Sequence, residues 1–323
     1  MKNKMQLQLL IGMSLACHKG GGSWSDDAYR DIGATKSYAT KSARDIFSRS
    51  LHADLDPNGV KFRESRDSDE HPESLPVAVF LDVTGSMGSI PEKLIKGKLG
   101  ALMSTIIAHG VPHPQLMFGA ITDQYANHTP LQVGQFESDT ALIDSSLSKI
   151  YLEGGGGGDQ HETYPLAWLF CGRHTSLDSF EKRGIKGFLF TIGDEGFHEK
   201  LSADKIKQIL GDGVETDLDS KDLLLEAQRM YHVFHIHVNE GQYPNNKGIL
   251  GQWHGVLGER VLILDDHTVI AELIASTVAV INGVDLKDVT KHFDKSTATS
   301  VSNALALVSK GLTAGKKEGI VKL

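Results

Sequence analysis

The sequence predicts an α/β domain, doubly wound around a mostly parallel six-stranded sheet with helices on both faces. Three observations predict it. Six short apolar runs recur along residues 77–264, each long enough for one strand and too short for a buried helix. Segments with helical spacing separate most of them, which is the alternation that produces parallel sheets. The runs are also continuous rather than alternating, as strands covered on both faces require.

The first run, VAVFLD at 77–82, ends on an acid. Pro91 suits the first turn of a helix, and KLIKGKLGALMSTIIAHG (93–110) continues it to a stop at Gly110. QLMFGAIT (115–122) gives a second strand, and LQVGQF (131–136) a shorter third at an edge. DTALIDSSLSKI (139–150) has helical spacing and leads to a glycine run, after which another helix begins near Tyr164. IKGFLFTIGD (185–194), HVFHIHV (232–238) and RVLIL (260–264) supply the last three strands, and HTVIAELIASTVAVING (267–283) a long helix. These elements delimit a domain at 76–284.

Residues 1–75 are polar, with weak periodicity. They read as an extended, partly helical arm laid over the domain, with a helix at 34–51 and turns at 56–76. Residues 285–323 read as a tail of two short helices.

Composition narrows the functional classes. The 323 residues are 40% hydrophobic and carry a net charge of −8, which argues against nucleic acid as the main partner. Residues 1–50 hold eight Lys/Arg against four Asp, a balance of +4 that leaves −12 on the remainder. Such an arm docks on its own acidic body or on an acidic partner. Two cysteines, Cys17 and Cys171, provide neither a disulfide framework nor zinc spacing, and point to a reducing cytoplasm. The start, MKNKMQLQLLIGMSLAC, partly imitates an export signal, but two Gln interrupt its apolar run and export is not expected. No stretch is long and apolar enough to predict a membrane span.

Chemistry concentrates where strands end. Beyond Asp82, the hydroxyls of Thr84 and Ser86 recur at every second position, with Gly85 easing the turn. Oxygens so spaced suit a hard cation such as Mg2+, although the same residue types also cap helices. EGGGGGDQHETYPLA (153–167) carries Thr163 at a helix start, and FLFTIGDEG (188–196) is a second strand that ends on an acid, Asp194.

Asp82-Val83-Thr84-Gly85-Ser86 after an apolar strand resembles the D-x-[ST]-x-S signature of von Willebrand factor A domains, including intracellular bacterial and phage members. The resemblance spans about 210 residues. It implies a Rossmann-like fold and a metal-ion-dependent adhesion site (MIDAS) made of Asp82, Thr84, Ser86, Thr163 and Asp194, with Asp159, Glu162 and Glu195 as alternative ligands. It further implies Mg2+, or Mn2+ or Ca2+ in its place, and a protein partner that offers an Asp or Glu carboxylate. Intracellular members are similar to those working beside AAA+ ATPases, so an AAA+ ATPase or its client is the expected partner.

Enzymatic readings fit less well. VTGSMG fails the G-x-S-x-G nucleophile pattern because Thr84 stands where Gly is needed. A metal-dependent phosphohydrolase would use Asp82 and Asp194, but no phosphate-binding lysine accompanies them. A scaffold with a vestigial cation site is a third reading. His235 and His237 share one strand face without an evident third ligand, and Trp168 and Trp253 read as core.

Overall fold

Parallel strands buried on both faces need continuous apolar sequence, and all six runs become strands of one sheet. The computed structural model describes Ser42 and residues 46–318, except 212. Its central strands are β1 (Leu75–Asp82), β2 (Pro114–Ile121), β3 (Leu131–Val133), β4 (Gly187–Gly193), β5 (Tyr231–Val238) and β6 (Val261–Leu264). They lie in the order β3-β2-β1-β4-β5-β6. The pairs β1–β2, β1–β4, β4–β5 and β5–β6 are parallel, and β3 runs antiparallel on β2. This order makes the fold doubly wound: chain progress reverses direction at β1, and the crevice between β1 and β4 is the switch point where such folds bind ligands.

Alternate residues of β1 enter two cores. Val77, Val79 and Leu81 join one; Ala78 and Phe80 join the other. On the first face, the helices Leu102–Ala108 and Ile270–Ile281 pack together. Every residue from Ile270 to Val280 is buried, so this helix is interior rather than amphipathic. The final helix, Lys295–Glu318, covers it through Val301, Leu305 and Val308. On the second face, Pro165–Arg173 packs on Ser220–Met230, and Lys247–Leu257 adds Trp253.

Two expectations need correction. The segment after β1 is not one regular helix. It passes from α-helix at Ile90–Lys93 through a π turn at Leu94–Lys98 and a 3-10 turn at Leu99–Ala101, then back to α-helix. Gly97 and Gly100 lie within the altered turns, where weak helical preference lets the hydrogen-bond ladder change register. The last helix, at 24 residues, is also not short.

Residues 46–74 lie against the domain. Phe47 and Leu55 enter the first core, and Arg63–Ser65 pairs in parallel with Thr175–Leu177. Arg66 bonds Asp178 at 2.8 Å, and Arg183 bonds Asp67. Most of the helix anticipated at 34–51, and most of the basic residues counted over 1–50, lie outside the described residues. Among the described residues, no helix is long and apolar enough to cross a membrane.

Candidate metal centre

The strand order puts the carboxyl ends of β1 and β4 side by side, and both end on acids. Asp82 is the last residue of β1, and Asp194 follows the last residue of β4; both are fully buried. Thr84 folds back on Asp82, with its backbone N–H and its hydroxyl donating to Oδ1 at 2.9 and 2.6 Å. Ser86 turns the other way and donates to Asp194 Oδ1 at 2.8 Å. The two hydroxyl oxygens are 3.3 Å apart. A continuous chain of oxygens, Asp82–Thr84–Ser86–Asp194, therefore crosses the switch point.

The outer carboxylate oxygens are fixed as well. Tyr164 Oη donates to Asp82 Oδ2 at 2.7 Å, and the backbone N–H groups of Gln242 and Tyr243 donate to Asp194 Oδ2 at 2.6 and 3.3 Å. The glycine run lies along the turn: Gly85 N–H donates to Gly155 O at 2.7 Å, and Gly154 N–H to Val83 O at 3.0 Å. This contact needs glycine, since a Cβ on Gly85 would stand 2.8 Å from Gly155 O.

Sequence reading placed Thr163 in this set. The structure buries Thr163 in the adjacent loop, where its Oγ1 accepts from the Gln124 backbone N–H at 2.7 Å. The neighbouring carboxyl, Glu162, turns toward the Thr84 loop: a Cβ on Gly156 would lie 3.3 Å from Glu162 Oε1 and 3.9 Å from Thr84 Cβ. Glu195 shares a hydrogen bond with Glu162, whereas Asp194 is the acid that receives Ser86. Asp159 lies further along the loop and is exposed.

Electrostatics favour a cation. Burial pushes the Asp82 carboxyl up to about 7; hydrogen bonds from Thr84 and Tyr164 oppose this, and the Asp194 charge reinforces it. Burial raises Glu162 and Glu195 too, and the Asp82 charge adds to the effect on Glu162. Among the described residues, Asp82 and Asp194 take their hydrogen bonds from hydroxyls and backbone amides. Buried carboxylates held in this way, with oxygen the only donor type, suit a hard divalent cation. Asp82, Thr84, Ser86 and Asp194 fit such an ion.

His235 and His237 belong to the support behind the site. His235 lies flat on Trp253, ring centroids 3.5 Å apart, and its Nδ1 is 3.0 Å from Thr191 Oγ1. The parts that sequence reading missed are the Tyr164 hydroxyl, the contact between Glu162 and Glu195 (each named there only as an alternative ligand) and the amides of Gln242 and Tyr243. A backbone amide leaves no mark in sequence. Strand β2, like β1 and β4, also runs into an acid, Asp123.

One substitution tests the scaffold. A Cβ on Gly193 would lie 1.9 Å from Tyr164 Oη, so Gly193→Ala must push the tyrosine off Asp82. We expect Gly193→Ala to cost about 1–3 kcal/mol in urea unfolding and to weaken Mg2+ binding in calorimetry. Wild-type values for both would show that the tyrosine does not hold Asp82 in place.

Fold and site together define the class: a doubly wound α/β protein with two carboxylates bridged by hydroxyls at its switch point. The chain matches no protein-family model and no curated protein. Among solved structures it is similar to proximal thread matrix protein 1 from the mussel byssus, described with a zinc-occupied MIDAS motif: 10% identity, TM-score 0.41, 65% of this chain and 46% of that one. It is similar also to the pilus adhesin SpaC from Lactobacillus rhamnosus GG in its open conformation: 9% identity, TM-score 0.42, 71% of this chain and 31% of that one. The matches thus cover less than half the length of either protein.

Proposed function

We propose that the protein binds another protein in a divalent-cation-dependent way, as an intracellular, cytoplasmic member of the von Willebrand factor A type. The observation that carries this reading is the oxygen chain from Asp82 through Thr84 and Ser86 to Asp194. These four residues would hold the ion, with Thr163 or Glu162 contributed by the glycine loop. Mg2+ suits the all-oxygen donor set, and Mn2+ or Ca2+ would fit it too. A bound cation would supply an electropositive centre for a carboxylate of the partner. Asp82 and Asp194 balance its charge while the hydroxyls add none, which leaves room for one more anionic ligand. The partner is a protein with an exposed Asp or Glu, and an AAA+ ATPase or its client fits that description. The role is binding rather than catalysis.

Affinity capture with Mg2+, with EDTA, and with Asp82→Asn tests this reading. A partner retained only by wild type in Mg2+ is the expected result. A set of captured proteins indifferent to both treatments would refute it, and Mg2+-dependent phosphoester turnover lost in Asp82→Asn would favour a hydrolase instead.

A further inference from the structure

We propose a second divalent-cation site beside the first, formed by Asp123, Asp159 and His198. The three residues come from separate segments at the carboxyl end of the sheet. Asp123 stands just past β2 and is buried, Asp159 belongs to the glycine run, and His198 follows the short strand Gly196–Phe197. One oxygen from each carboxylate and one ring nitrogen of His198 all lie within 4.8 Å of one another. Donors about 2.1 Å from a shared ion are at most about twice that far apart, so a small closure of the loop would bring all three onto one ion. His198 Nε2 is already 2.9 Å from Asp123 Oδ1, and the ring is steadied by Tyr125 edge-on and by His161 stacked at 5.8 Å.

A separate observation points to an ion at this end of the molecule. Glu162 is 1% exposed, and its Oε2 has no hydrogen-bond partner. The charges of both Asp82 and Asp123 help to raise its carboxyl. A buried carboxylate oxygen left without a partner is costly unless something absent from the chain itself satisfies it. The glycines form the wall of both places. A Cβ on Gly157 would come 2.5 Å from Asp123 Oδ2 and 3.4 Å from Asp159 Oδ1, while one on Gly156 would meet Glu162 Oε1. The run is therefore a lining that lets the backbone touch carboxylates, and not a linker.

The donor set gives the site its own chemistry. An imidazole nitrogen with two carboxylates favours dications of the Mn2+-to-Zn2+ kind over Mg2+ and Ca2+, whereas the Asp82 centre has oxygen alone.

The test is Mn2+ binding by equilibrium dialysis, with pulsed electron paramagnetic resonance to detect nitrogen coupled to the bound ion. Wild type should hold two Mn2+ per chain, one of them coupled to nitrogen. His198→Gln should hold one, without the coupling, and Asp123→Asn provides the same test if the glutamine variant does not fold. A wild-type protein without nitrogen coupling, or a folded His198→Gln that retains both ions, would overturn the proposal. Asp82→Asn separates the two sites. Loss of only the uncoupled ion in that variant supports the Asp82 centre, while retention of both ions would count against that centre and leave the His198 site standing.

Discussion

Saturating Mg2+ should raise the melting temperature of the wild-type protein, and Asp82→Asn should abolish the rise. A ligand present at 100 times its dissociation constant adds about 2.7 kcal/mol, or roughly 4 °C for a chain of this size. The same substitution should act in the opposite direction without metal. Burial raises the folded-state value of Asp82 to about 7 from an ordinary 3.8, so between those values the folded protein keeps a proton that the unfolded chain has released. Stability in EDTA therefore falls as pH climbs through that window, by about 1.4 kcal/mol for each full unit of difference. Asn carries no such proton, so Asp82→Asn should melt above wild type in EDTA at pH 7, hold little advantage near pH 4, and melt below wild type in Mg2+. Scanning calorimetry across pH, with and without Mg2+, reads this crossing. Equal gains from Mg2+ in both proteins would remove Asp82 from the cation site.

Trp253→Ala should be the most damaging single change in the core that supports the site. The indole is fully buried, stacks on His235, meets Tyr164 and Trp168 edge-on, and packs against Phe197 at 4.8 Å. Its Nε1 donates to Glu195 O at 2.9 Å, just beyond Asp194. Removing it opens a cavity under both Tyr164 and the β4 turn, at an expected cost of about 3–5 kcal/mol in denaturant unfolding. Because Tyr164 holds Asp82, Mg2+ affinity should fall with stability, and Trp253→Phe should restore most of both. A loss below about 1 kcal/mol would mean that the aromatic block closes over the gap.

What was legible in the sequence follows physical range. Strands buried on both faces announce themselves as unbroken apolar runs, and β1, β2, β4, β5 and β6 were all readable in that way. The Asp82-Thr84-Ser86 turn was readable because its spacing is local. Asp194 was readable because the end of a parallel strand is where such folds place ligands. Pairings that fold distant segments together were not. His198 meets Asp123 across 75 positions and Tyr164 meets Asp82 across 82, and neither His198 nor Tyr164 is marked in its own neighbourhood. The two-residue ladders, such as His161–Glu162 with Gly196–Phe197, are too short to carry a periodic signal, yet that ladder brings Glu162 alongside the β4 turn. The π turn after Lys93 was hidden because propensity reports how readily a residue enters a helix, not which hydrogen-bond spacing the helix adopts.

The central sheet narrows toward its margins. β1 and β2 have eight residues each, while the outermost strands, β3 and β6, have three and four. A stranger's strand that tried to extend the sheet would find only a few amides and carbonyls to grip at either border, too few to repay the ordering of its own chain. Aggregation by sheet extension is thereby discouraged by the shortness of the borders. On the proposed reading partners meet the loop end of the sheet, and its sides offer them no second place to pair.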